Sequence, residues 1–174
     1  MARIDFPDRG YGEHVDWSLH RPKMAVGMGQ MSEAIYGNTK LDTREREAAR
    51  YVVAMLNDCL VCKDTRARNA ADAAIDDGFY GEVANWREST TLSDRERLAA
   101  EFANRFVLDH QAMGDEFWGR LHGAYADDEI ADLTMCCGMF LGLGRMLAVL
   151  EVPAPTGGEG PAVKRPGGAA TVGA

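Results

Sequence analysis

An all-α, single-domain fold is what this 174-residue sequence predicts, on three observations. Apolar residues recur at helical spacing through most of the chain. Asp42-Thr43-Arg44-Glu45 and Ser93-Asp94-Arg95-Glu96 each read as a capping box, a side-chain acceptor followed three residues later by a glutamate. No stretch alternates apolar and polar residues as a half-buried strand does. At 46% hydrophobic, a chain of this length can bury a core without disulfide or metal staples.

Residues 1–19 are rich in Gly, Asp and aromatics, lack periodicity and read as an irregular arm able to pack on a neighbour. The first helix is predicted from about Arg21 to Tyr36. Pro22 suits its first turn, Met24, Met28, Met31 and Ile35 form its stripe, and Gly37-Asn38 stops it. Asp42 opens a second helix with Ala48, Val52, Met55 and Leu56 on one face. Asn57-Asp58 breaks it, and a third helix is predicted from Cys59 to about Asp77, where Gly78 is a stop. A short helix near Tyr80–Trp86 follows, then one behind Ser93 carrying Leu98, Phe102 and Phe106. Another covers about Gly114–Tyr125, and the last runs from Asp127-Asp128 to about Val152. Residues 153–174, with four prolines among many Gly and Ala, bury too little apolar surface to offset ordering entropy and are expected to be disordered. Reading along the chain shows no internal repeat and no phosphate-binding glycine motif.

A net charge of -8 argues against a general nucleic-acid binder, which needs a basic face to displace phosphate counterions. It argues equally against docking on anionic lipid. The N-terminus has no apolar run of the secretory type. The most apolar stretch, Leu133–Val149, is short for a bilayer and contains Arg145, so a buried helix is the better reading. No membrane partner is expected, and the expected compartment is the cytoplasm. Thiols stay reduced there, so four cysteines do not imply a disulfide framework, and a Cys-x-x-Cys suggests redox chemistry or a metal.

Cys59-Leu60-Val61-Cys62 is that motif. At a helix start, free N–H groups and the helix dipole favour thiolate, the nucleophilic form. Two cysteines three apart can close a disulfide, one attacking a peroxide or disulfide and the other resolving the product. Asp58 and Asp64 oppose the thiolate, whereas Lys63 and Arg66 favour it. Zinc needs two further ligands, and the adjacent Cys136-Cys137 pair suits core packing better than a tetrahedral ion. His14, His20, His110 and His122 are the imidazoles of the chain; His110 or His122 folding back toward Cys62 is the alternative to surface or capping roles. Gly138 and Gly142 share a helix face that permits close helix contact.

Leu41-Asp42-Thr43-Arg44-Glu45-Arg46-Glu47, leading through Val52-Val53-Ala54-Met55-Leu56-Asn57-Asp58 to Cys59-Leu60-Val61-Cys62, resembles the characteristic segment of the carboxymuconolactone decarboxylase and alkylhydroperoxidase D superfamily. The resemblance extends over roughly residues 20–152 and implies an all-helical domain of the alkylhydroperoxidase D-like type that assembles into a homo-oligomer. It implies Cys62 as the attacking cysteine, Cys59 as the resolving one and Glu47 as the relay glutamate. The family's relay histidine falls at Arg66, and the histidine sometimes found between the cysteines falls at Val61. Neutral histidine passes a proton near pH 7; arginine stays protonated, so Arg66 can only stabilise a thiolate or pair with a carboxylate such as Glu47.

The function these readings point to is a thiol-dependent oxidoreductase that reduces a peroxide or disulfide through Cys62 and Cys59. The resemblance implies a thiol reductant as partner and no bound flavin or haem, so no cofactor is expected. The alternatives are a carboxymuconolactone decarboxylase-type enzyme on a small organic acid, and a non-catalytic oligomeric scaffold of the same fold. The decarboxylases of the family do not depend on a Cys-x-x-Cys, so the pair favours the redox branch.

Overall fold

The structure, a computed structural model, describes residues 2–155, so most of the segment read as a disordered tail lies outside the described residues. In chain order the helices are α1 (Glu13–Asp16), followed by a 3-10 turn Trp17–His20, α2 (Pro22–Asn38), α3 (Thr43–Leu56), α4 (Leu60–Asp64) and α5 (Asp77–Ala84). Then come α6 (Asp94–Leu108), a 3-10 turn His110–Ala112, α7 (Asp115–Ala124) and α8 (Asp127–Val149). The described residues contain no strand, as an all-α fold requires.

At the centre α3 packs on α6 and, less extensively, on α8 and α5. Small residues make the α3–α6 approach close: Ala48, Ala49, Ala99, Ala100 and Ala103 are fully buried. Tyr51, Val52, Val53 and Phe102 fill the space beside them. The 23 residues of α8 are long and apolar enough to cross a bilayer by length and composition. Leu133 and Cys137 of this helix are nevertheless fully enclosed in the same core as α3 and α6.

Both capping boxes form, and they are cross-linked. Asp42 and Ser93 cap their own helices, and Glu45 and Glu96 return to the amides of those caps. Arg44 of α3 donates to Glu96 of α6 at 2.5 Å, and Arg95 of α6 donates to Glu45 of α3 at 2.5 Å. This reciprocity exposes a short repeat that reading along the chain misses. Leu41-Asp-Thr-Arg-Glu-Arg-Glu-Ala-Ala49 and Leu92-Ser-Asp-Arg-Glu-Arg-Leu-Ala-Ala100 share their leucine, Arg-Glu-Arg and Ala-Ala positions. Arg95 also reaches Glu129 of α8 and the carbonyl of Ala124 at the end of α7, so one guanidinium joins four helix ends.

The predicted long helix after the cysteines does not form. The helix there is α4, capped by Cys59 itself and ended at Thr65; turns carry the chain to α5. In a continuing helix the carbonyls of residues 62–65 would accept amides four residues on. Side chains take them instead: Arg50 donates to the carbonyls of Cys62 (2.6 Å) and Thr65 (3.1 Å), and Arg66 to those of Lys63 (2.8 Å) and Asp64 (3.1 Å).

The N-terminal arm is more ordered than expected and folds over its own chain. The Arg3 amide donates to the Leu150 carbonyl at 3.0 Å, and Phe6 and Trp17 pack against the cluster of Cys59, Val61 and Val152. Among the α8 glycines, Gly138 and Gly142 face open space, and the one in close contact is Gly144.

Candidate active site around the cysteine pair

The cysteine segment starts where α3 runs out. Asn57 is the C-cap, and Asp58 takes φ 52°, a left-handed conformation that aspartate tolerates better than most residues. That single reversal turns the chain so that Cys59 is extended and caps α4, its sulfur accepting the Cys62 amide at 3.1 Å. Cys59 and Cys62 are joined as a disulfide with Cα atoms 5.2 Å apart. Cys59 is fully buried and Cys62 half-buried, so the second cysteine is the accessible one. Lys63 is buried beside them with its ammonium 2.8 Å from Asp58.

Against Cys62 lies α8. A Cβ on Gly144 would sit 3.3 Å from the Cys62 sulfur and 2.6 Å from Asn57 Nδ2, so only glycine leaves room for both. Asn57 Nδ2 donates to the carbonyls of Phe140 (3.3 Å) and Leu141 (3.1 Å), and Arg145 Nε donates to Asn57 Oδ1 at 2.8 Å. The C-cap of α3 is thereby bolted to α8 directly over the sulfur.

Behind the pair is a buried polar network. Glu47 is 2% exposed and accepts from Arg50 through both oxygens, at 2.8 and 2.6 Å. Tyr80 of α5 donates its hydroxyl to Glu47 Oε1 at 2.7 Å and accepts the Ala67 amide at 3.3 Å. Burial, then the bond to Glu47, pushes the Tyr80 phenol up to about 12. Arg50 thus pairs with Glu47 while holding the carbonyls of Cys62 and Thr65, fixing the cysteine turn to α3.

The four residues singled out from the sequence are placed unequally. Cys59 and Cys62 meet. Glu47 stands one guanidinium away, through Arg50. Arg66 does not pair with Glu47; its guanidinium lies 4.4 Å from the Tyr80 ring centroid and 3.2 Å from Asp77. Tyr80 is the group that touches both. His110 is on the surface, and His122 is exposed with Asp127 as its partner at 3.4 Å. Cys136 and Cys137 are buried free thiols, and burial pushes Cys136 up to about 11 and Cys137 well above the ordinary thiol range.

Sequence reasoning missed Arg50, Tyr80, Asn57 and Gly144. Arg50 had a usable signal, since Glu47 and Arg50 are three apart on one helix face and pair at that spacing. Tyr80 and Gly144 had none, because only the folded chain brings α5 and α8 to α3.

Residues 22–105 match the carboxymuconolactone decarboxylase family, a stretch holding Glu47, Arg50, Cys59, Cys62 and Tyr80. The chain is 24% identical over 120 residues to the uncharacterized protein Rv2313c of Mycobacterium tuberculosis, which takes in 69% of this chain and 42% of that one. It is 26% identical over 114 residues to the uncharacterized protein YnjA of Escherichia coli, 66% of this chain and 63% of that one. The chain therefore spans less than half the length of the mycobacterial relative and under two thirds of the other. Among solved structures, ATU0492 of Agrobacterium tumefaciens, a protein of unknown function described as a candidate antioxidant defence protein AhpD, superimposes with TM-score 0.74 at 15% identity, covering 89% of this chain and 99% of that one. An uncharacterized peroxidase-related protein from Silicibacter sp. TM1040 gives TM-score 0.69 at 20% identity, covering 79% of this chain and 73% of that one. At these identities the likeness is one of fold. Fold and matched segment agree with the helix-cysteine pattern of the sequence: residues 22–105 resemble the carboxymuconolactone decarboxylase family, on a fold like that of the Agrobacterium protein.

Proposed function

We propose that the protein is a thiol-dependent peroxidase or disulfide reductase acting through Cys62 and Cys59. The observation that carries this reading is the asymmetry of the pair: a half-exposed Cys62 joined to a fully buried Cys59. In the reduced protein the Cys62 thiolate attacks the terminal oxygen of a hydroperoxide. The O–O bond breaks, Cys62 becomes a sulfenic acid, and the alkoxide leaves with a proton. The Cys59 thiolate then attacks the Cys62 sulfur, the S–O bond breaks, and hydroxide leaves as water after taking a proton. A small-molecule or protein dithiol reduces the resulting disulfide by exchange and supplies the two electrons; the cytoplasm provides such thiols. Glu47 and Arg50 act as positioning residues in this scheme, and Arg66, always protonated, does not relay the proton.

We also propose that the protein works as a homo-oligomer. Helix α2 has no buried residue and leaves Met24, Val26, Met31 and Tyr36 exposed. An apolar face of this kind suits a symmetric partner.

Treating fully reduced protein with one equivalent of peroxide and mapping the thiols by mass spectrometry tests the redox reading. A Cys59–Cys62 disulfide with Cys136 and Cys137 untouched is expected. Oxidation of Cys136 or Cys137 while Cys59 and Cys62 stay free would overturn it.

A further inference from the structure

Next to the cysteine pair, α8 and the N-terminal turn enclose an open groove of about 450 Å³. Trp17, Leu141, Met146, Val149 and Leu150 make it apolar, and Arg145 is the charged residue on its wall. Two of these residues, Trp17 and Leu150, also pack against the cluster that holds Cys59 and Cys62. Arg145 follows Gly144, the residue on which the Cys62 sulfur rests. The groove and the accessible cysteine therefore lie on the same stretch of α8, the groove on Arg145 and its neighbours and the cysteine on Gly144.

Arg145 is poised differently from most arginines of the chain. Arg44, Arg50, Arg66, Arg95, Arg97, Arg105 and Arg120 all pair with carboxylates. Arg145 is held by Nε on the Asn57 side-chain oxygen, and among the described residues it forms no ion pair. A guanidinium anchored through Nε keeps its two terminal nitrogens for the bidentate geometry that carboxylates favour. No acidic side chain lines the groove to repel an anion. Val149 at 65% and Met146 at 38% exposure offer apolar surface that a hydrocarbon would cover.

We infer that this groove binds an amphipathic monocarboxylate, its hydrocarbon on Trp17, Met146 and Val149 and its carboxylate on Arg145, and that the hydroperoxide of such an acid is the substrate. The second half rests on the peroxidase reading above; the first half does not. The acid is reduced to the corresponding hydroxy acid by the steps already written, with Cys62 receiving one oxygen.

Binding is tested on the full chain with decanoate, decanol and decylamine, followed by calorimetry and by the fluorescence of Trp17 against a Trp17→Phe control. Decanoate is expected to bind about tenfold or more tighter than decanol, the size of one charge-assisted contact, and decylamine more weakly than either. Arg145→Gln should erase the preference for the acid. Val149→Glu, at an exposed position where folding is not at issue, should weaken decanoate far more than decanol. Equal affinities for acid and alcohol, or no binding, would overturn the inference. So would a concentration-dependent mass that Val149→Glu abolishes without decanoate binding, which assigns the groove to a second copy. Turnover is then compared for linoleic acid hydroperoxide and its methyl ester. Faster turnover of the acid, by the same factor as the binding preference, is expected. Equal rates would overturn the substrate assignment alone; decanoate binding with neither hydroperoxide consumed would overturn the substrate and the peroxidase reading, leaving the carboxylate site in place.

Discussion

Glu47 has no free oxygen to offer a proton. Arg50 occupies both oxygens and Tyr80 shares one of them, so a histidine at position 66 would meet a carboxylate already neutralised. Arg66→His is accordingly expected to change the peroxide rate little, where a working acid–base relay would add about 10² to 10⁴-fold. Stopped-flow peroxide consumption near neutral pH measures this, and a gain of that size would show Glu47 to be available. Tyr80 gives a pH signature. Its phenol is raised to about 12 by burial and by the bond to Glu47, against about 10 unfolded. The folded state therefore holds the proton longer. The stability this contributes is complete below about pH 10 and is lost as the pH rises toward 12. Tyr80→Phe should be less stable at neutral pH yet show a flatter decline above pH 10 in denaturant melts; parallel declines would remove Tyr80 from the network. The cysteine pair was legible in the sequence because its spacing is local, and Glu47 was singled out by the family resemblance. Their partners were not, since hydrogen bonds between α3, α5 and α8 leave no periodic trace.

At the scale of elements, the helices with clear caps and apolar stripes were legible to within a few residues. Asp42, Ser93 and Pro22 mark real starts, and α7 and α8 begin where expected. The failure was α4, where the break at Asn57-Asp58 and the stop at Gly78 suggested one long helix between them and two arginine side chains capture its carbonyls instead. Tertiary capture of backbone acceptors outweighs local propensity there. The clasp between α3 and α6 makes a strong element-scale prediction. Arg95→Ala leaves the buried Glu45 and the Glu129 carboxylate without their guanidinium; with Arg95 itself part-exposed, the loss is expected to destabilise by about 1–3 kcal/mol. Arg95→Lys should restore only part, lacking the fork that spans two carboxylates. The bond to Arg95 holds the Glu129 carboxyl below its ordinary range, so this stabilisation is present near neutrality and falls away in acid. Urea unfolding at pH 7 and at pH 4 checks both; a loss below 1 kcal/mol in Arg95→Ala would reduce the clasp to a surface contact.

For the whole molecule, α2 is the helix with no buried residue among the described residues. Below Tyr36, whose ring lies 5.0 Å from the Arg46 guanidinium, Arg46 is buried with Nε lacking a hydrogen bond among the described residues. A buried N–H without an acceptor is unfavourable by about 1–3 kcal/mol. The exposed methionines of α2 add unpartnered apolar surface on the same side of the chain. A second copy seated on α2 would cover the exposed apolar side chains. Light scattering at micromolar concentration is expected to give a multiple of the chain mass, and Met31→Glu on α2 should shift it toward the monomer. A monomer at all concentrations would sink the assembly. The charge of -8 spread over such an assembly favours solubility, not self-association at random.

The reciprocal clasp also dictates an order of events during synthesis and refolding. Glu45 and Glu96 can each cap their own helix alone, but Arg44 and Arg95 find their acceptors only when both helix starts are present. The stretch between them contains the cysteines, α4 and α5, so docking α3 on α6 closes a long loop around the cysteine turn. Loop closure of this kind is a slow, non-local step compared with helix formation. Until α6 has emerged, α3 lacks its main packing partner, and Cys59 remains open to oxidants and foreign thiols until Leu147, Leu150 and Val152, at and just beyond the end of α8, cover it. The newly made chain is thus chemically most vulnerable in the interval between the exit of its cysteines and the exit of α8.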